Sequence, residues 1–129
     1  MKINDPQIVR EVEEAFERYE SALMENNLTV LDASFWNSPR TVRYGGAENL
    51  YGYGEIQRFR ASRRSGTMTR TFDRLVITTY GDDFATASLH HHPRAAPGKV
   101  GRQMQTWVRM PEGWRVVAAH VSVIDDPDV

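Results

Sequence analysis

Tyr19, Arg43 and His120 are the side chains in this sequence whose types and neighbours could carry proton transfer or anion recognition. Tyr19 lies in FERYESAL, on a stripe with Ile8, Val12, Ala15, Phe16, Ala22 and Leu23. On pattern alone it is a core tyrosine whose hydroxyl meets a backbone carbonyl. The same stripe would offer a phenol to a ligand wherever the helix lines a pocket, and a nearby guanidinium would ease proton donation by stabilising the phenolate. Arg43 alternates with Val42 and Tyr44 in RTVRY. It is either a solvent-facing cation on an edge strand or a pocket arginine, and a buried guanidinium is costly without a partner. A carboxylate would suit it, because the planar fork makes two parallel hydrogen bonds to one carboxylate. Arg40, three residues earlier, is expected as a second clamp, so the pair predicts an anionic ligand.

His120 reads as a satisfied core histidine or as a general base or orienting group, since only histidine titrates near neutral pH unperturbed. Gln103 and Gln105 are candidate amide partners for a urea-like group, one of them facing a pocket together with Trp107. All three share parity along a strand, so a bulge would be needed to separate the glutamines. Asn49 and Tyr51 in ENLYG either close a turn or reach the site from a loop. The run His90-His91-His92 does not predict a metal site. Neighbouring strand residues point to opposite faces, and no acidic partner is close in sequence. Arg58, Arg60, Arg63 and Arg64 read as a solvated helix face or a dimer contact, and Trp36 and Trp114 as packing residues. There is no glycine-rich phosphate loop, Ser-His-Asp order or metal-ligand spacing.

The elements that must position these residues follow from periodicity. Asp5-Pro6 caps and opens a helix of about five turns that ends near Asn26-Asn27, with glutamates opposite its apolar stripe. A short helix over Thr29 to Phe35, a strand over Arg40 to Tyr44 and a helix from Gly54 to Arg64 come next. From Thr67 onward the pattern is β. Thr69 to Tyr80 is rich in β-branched residues and ends at Gly81-Asp82-Asp83, and Phe84 to His92 pairs back on it. GRQMQTWVRMPEGWRVVAAHVS forms a long hairpin around Pro111-Glu112-Gly113. Both faces of its second strand are apolar enough to predict a central strand covered on both sides. Helices gathered against an antiparallel sheet make the class α+β, in one domain over 1–129 with a loose acidic tail after Ile124.

Bulk properties narrow the partners. A net charge of −1 argues against nucleic acid, whose phosphates need clustered positive charge. With no cysteine there is no disulfide or thiol chemistry. No apolar run spans a membrane, and MKINDPQIV lacks a signal-peptide core, so a cytoplasmic protein is expected. Exposed apolar residues on a long sheet predict a homodimer.

A long helix, two short ones and a bent sheet resemble the NTF2-like cone, and GWRVVAAHVS looks like the last strand of many cone proteins. FERYESAL, FW-x-x-PRTVRYG, ENLYG, IQRFRASR, VITTYG and the long hairpin are similar, in the same order, to the AtzH/HpxZ family of small cone proteins. That resemblance implies a cofactor-free, metal-free enzyme of ureide nitrogen catabolism, working beside an amidase on acids such as oxalurate or 1,3-dicarboxyurea. The latter would be converted to allophanate. It implies Tyr19 and Arg43 as the catalytic pair. Arg40, His120, Gln103, Gln105, Trp107, Asn49 and Tyr51 are the expected substrate contacts. A non-catalytic binding or accessory cone is the alternative.

Overall fold

Asp5 caps the first helix by accepting the Gln7 N–H at 3.0 Å, and Pro6 occupies the first turn, where a missing N–H costs nothing. The computed structural model describes residues 1–63 and 70–128. In chain order the elements are α1 (Pro6–Glu25), α2 (Leu28–Ala33), β1 (Val42–Tyr44), β2 (Asn49–Tyr51), α3 (Tyr53–Ser62), β3 (Arg70–Tyr80), β4 (Phe84–Pro93), β5 (Lys99–Met110) and β6 (Gly113–Asp125). Asn26 ends α1 in the left-handed conformation, and Asn27 then caps α2 through its side chain. The expected helix end at Arg64 and strand start at Thr69 lie outside the described residues.

The strands form one curved, open sheet in the order β2-β1-β6-β5-β4-β3. All neighbours are antiparallel except β1 and β6. ENLYG is not only a lead into α3: Asn49–Tyr51 pairs with Val42–Tyr44 as an edge hairpin. The helices cover the inner face alone. Ile8, Val12, Ala15, Phe16 and Tyr19 of α1 pack there with Ala85, Ala87, Leu89, Trp107 and Val116. Trp114 is also buried, and its indole N–H donates to Glu11 at 2.9 Å.

One irregularity decides which side chains face the helices. The pairing Thr106↔Ala118 is followed by Trp107↔Val116, so Val117 is an extra residue in β6. A bulge shifts the alternation by one. Before it Trp114 and Val116 point inward; after it Ala119 does, leaving Ala118 and His120 exposed on the outer face. The expectation that β6 is covered on both sides is therefore corrected: it is central, but its outer face is open.

Candidate functional site

β1 sits where α3 and the core meet. Thr41, fully buried, donates its hydroxyl to the Trp36 carbonyl at 2.8 Å and accepts the Gly52 N–H on its own carbonyl at 2.7 Å. These bonds fix the start of the strand. Arg43 pairs by register with the buried Ala119 and shares its inward face, whereas Val42 and Tyr44 face outward with Ala118 and His120. Its guanidinium lies 5.6 Å from the Phe59 ring of α3, and Nη1 donates to Glu48 at 2.8 Å.

Tyr19 is 3% exposed, its ring 6.1 Å from that of Phe35. Among the described residues the hydroxyl meets no backbone carbonyl; it accepts from Arg60 Nη2 at 3.4 Å. Arg60 overturns the surface reading of the α3 arginines. It is 2% exposed, packed over the Phe35 ring at 5.0 Å and near Tyr19, and its Nε and Nη1 have no partner among the described residues. Arg63 is half-buried and lies 5.9 Å from Phe59. Burial, then the charges of Arg60 and Arg43, push its pKa below the ordinary arginine value, against the opposing pull of Tyr19 and Glu48. Arg58 alone of the described members is on the exposed face, and Arg64 lies outside the described residues. Arg60 thus meets the phenol directly, Arg63 lies within charge range of Tyr19, Arg60 and Arg43, and Glu48 is the carboxylate paired to Arg43. In chemical terms, guanidinium groups can hold a carboxylate and a phenol can supply a proton.

An apolar residue at position 60 would remove an incompletely satisfied buried cation, and such replacements are often stabilising. Arg60→Met is expected to raise the melting temperature of the ligand-free protein by roughly 3–5 °C, equivalent to about 1 kcal/mol. A fall of that size in a thermal melt would show that Arg60 is instead a net structural support.

A second polar cluster lies one helix position on. Arg70 Nη2 donates to both oxygens of Glu20, at 2.7 and 2.9 Å, and to Gln103 Oε1 at 3.3 Å; Gln103 Nε2 donates back to Glu20 at 3.4 Å. His91 is buried nearby on β4 with neither ring nitrogen partnered among the described residues. Burial first, then the Arg70 charge and its neighbouring histidines, hold its pKa down to about 4. His92 pairs with Asp73 at 3.2 Å, and no metal-ligand group forms among the described residues.

Of the nine expected site residues, Tyr19 and Arg43 are joined through the α3 arginines. Gln103 and Gln105 both face inward, because the bulge falls in β6 and not between them. Gln103 is engaged by the Glu20–Arg70 pair, and Gln105 accepts the indole N–H of the buried Trp107 at 3.1 Å. Arg40 is corrected: it is exposed in the turn before β1 and is not a second clamp on the Arg43 face. His120 is corrected by the bulge and lies outside, its ring 5.7 Å from Tyr44. Asn49 and Tyr51 are exposed on that same outer face, Tyr51 sharing a 3.1 Å hydroxyl contact with Tyr44.

A model of the AtzH-like family matches residues 1–127. The chain belongs to the AtzH-like family. Its fold is NTF2-like, also described as cystatin-like. The AtzH-like chain is 51% identical to a protein of unknown function from Pectobacterium atrosepticum, with a TM-score of 0.91 and 95% of each chain covered. It is 46% identical to a cystatin-like fold protein from Burkholderia xenovorans, with a TM-score of 0.93 and 98% and 99% of the two chains covered. An NTF2-like protein of unknown function from Pseudomonas putida, 16% identical with a TM-score of 0.77, shares 92% of this chain and 87% of its own. That last likeness shows the fold alone. No curated protein matches. No helix among the described residues is long and apolar enough to cross a membrane.

Arg60 and Glu48 are the members of the candidate site that sequence reasoning missed. Arg60 follows Ile56 by four on the inward stripe of α3, so a helical repeat carrying an arginine in place of an apolar residue was its only mark. Glu48 gave no signal, because its side chain folds back from a turn.

Proposed function

We propose that this protein binds a small ureido or carboxyurea acid and cleaves its terminal C–N bond with loss of carbon dioxide. The observation that carries this reading is Arg60, buried at 2% exposure beside Tyr19 with two nitrogens unpartnered among the described residues. A guanidinium so placed gains most from a carboxylate that supplies the missing acceptors. With 1,3-dicarboxyurea, Arg43 and Arg60 hold the anion. The bond between nitrogen and the terminal carboxylate carbon breaks, its electron pair stays on nitrogen, and Tyr19 delivers the proton that nitrogen takes up. Carbon dioxide and allophanate leave, and the phenolate recovers its proton from water.

The test is turnover of freshly made 1,3-dicarboxyurea by wild type and Arg43→Ala, following allophanate against the spontaneous rate. Acceleration by wild type that Arg43→Ala loses is the expected result. Binding of the acid without acceleration would transfer the protein to an accessory role, holding an unstable anion for an amidase.

We also propose that the outer sheet face pairs two copies of the chain. Val76, Ser88, Met104, His120 and Tyr44 form a cross-strand row there, and Met104, at its centre, is 59% exposed. Trp107 and Trp114 are not part of it, both being buried on the inner face. Light scattering should give twice the chain mass, and Met104→Lys should shift it to the monomer, because an unpaired charge at an interface centre is costly. A wild-type monomer at micromolar concentration would sink this part.

A further inference from the structure

Glu48 is the carboxylate that faces the arginines of the site, and it does so from the turn between β1 and β2. The turn is closed by the Gly45 N–H, which donates to the Glu48 carbonyl at 2.9 Å. From there the side chain doubles back. One carboxylate oxygen accepts Arg43 Nη1 at 2.8 Å and the other accepts the Ala47 N–H at 3.2 Å. Gly45 leaves the room for this, since a Cβ at position 45 would occupy the space of the Glu48 carboxylate. The carboxylate thus sits where it does because position 45 has no side chain.

We propose that Glu48 is a resident competitor for Arg43: a carboxylate of the chain itself that occupies the guanidinium until a ligand carboxylate displaces it. The inference rests on the reading of Arg43 as an anion-binding residue. Three features carry it. The pair is joined through a single guanidinium nitrogen, not the two-bond fork that makes an arginine–carboxylate contact strongest. Neither end is sealed: the side chains of Arg43 and Glu48 are 11% and 22% exposed, so an incoming anion can reach the contact. The Glu48 charge also extends beyond Arg43, opposing the depression of the Arg63 pKa by its cationic neighbours. A second carboxylate brought to Arg43 meets this negative charge at close range, and like charges a few ångströms apart repel strongly where water is partly excluded.

The role has a consequence for the ligand-free and bound states. Without ligand, Glu48 keeps Arg43 partly neutralised and held near its working position. With ligand, the side chain swings off across Gly45 and Gly46 toward water, and on product departure it returns. Glu48 therefore lowers the resting affinity for anions. A pure positioning role would have the opposite sign, because an Arg43 left without its partner would then bind a ligand less well.

The experiment is calorimetric titration with malonate at pH 7 and low salt for wild type, Glu48→Gln, Gly45→Ala and Arg43→Ala. Glu48→Gln keeps an oxygen that can accept from Arg43 but removes the charge. Gly45→Ala keeps the charge but pushes the carboxylate off its seat, and it does so without backbone strain because Gly45 is not in the left-handed region. Both variants should bind malonate about tenfold more tightly than wild type. Weaker or unchanged binding in Glu48→Gln, with binding still lost in Arg43→Ala, would overturn the competitor role and leave the anion site standing. Malonate binding that survives Arg43→Ala unchanged, or no binding by any of the four proteins, would overturn the anion site itself and this inference with it.

Discussion

Replacing Tyr19 by phenylalanine is expected to lower turnover of the proposed substrate, 1,3-dicarboxyurea, by about 10²- to 10⁴-fold, the contribution of a positioned proton donor. The fold should survive. The ring is what packs the core, 3% exposed and against Phe35, and phenylalanine keeps it. What disappears is the hydroxyl that accepts from Arg60 Nη2, and with it the group nearest the buried guanidinium that can release a proton. Steady-state kinetics together with a thermal melt check the prediction, and the expected pattern is a collapsed kcat, a modest change in KM and a melting temperature close to wild type. A variant that turns over at the wild-type rate would remove Tyr19 from the chemistry and leave it as packing. A variant that has unfolded would show that the Arg60 contact supports the core.

The largest expected loss of stability belongs to Glu20→Ala. Glu20 and Arg70 have side chains only 8% and 4% exposed, so removing the carboxylate strands a buried guanidinium. Breaking such a pair costs about 3–5 kcal/mol, whereas exchanging the whole pair for apolar residues is often neutral or stabilising. Urea unfolding should therefore show Glu20→Ala strongly destabilised and the double variant Glu20→Leu/Arg70→Met recovered most of the way. Gln103 sharpens the expectation, because its amide bonds to both partners and would lose them together. A double variant as unstable as the single one would mean that the three-residue network holds the end of β3 in a way no packing can replace.

The two halves of the chain were legible to different degrees, for identifiable reasons. α1 was readable in full because an aspartate cap, a proline in the first turn and a regular apolar stripe all agree. The NTF2-like architecture followed from the helix and strand order, and the long strands from their alternation. The inward position of Arg43 was one of two readings of RTVRY, and register with Ala119 decides between them. His120 was misplaced because alternation was carried through Val117, where one extra residue reverses it; nothing in WRVVAAHV distinguishes a bulge from a regular strand. Arg60 was lost for a different reason. In a ten-residue helix with two strong apolar positions, an arginine on the inward stripe looks like its neighbours on the outside, and only burial tells them apart. Gln103 was expected at the substrate and instead meets a salt bridge whose two halves lie 50 residues apart, a pairing that no local pattern announces.

The parallel pairing of β1 with β6 has a consequence in time. Tyr19, Arg43, Glu48 and Arg60 all lie in the first half of the chain, yet the strand that carries Arg43 finds its inner neighbour only in the final strand. During synthesis the helices and the β1–β2 hairpin leave the ribosome well before their anchor exists, and a two-stranded ribbon is marginal by itself. The proposed anion site is thus assembled late, when β6 slots between β1 and β5. A nascent or C-terminally shortened chain would hold every one of these four residues and still lack the geometry that brings them together.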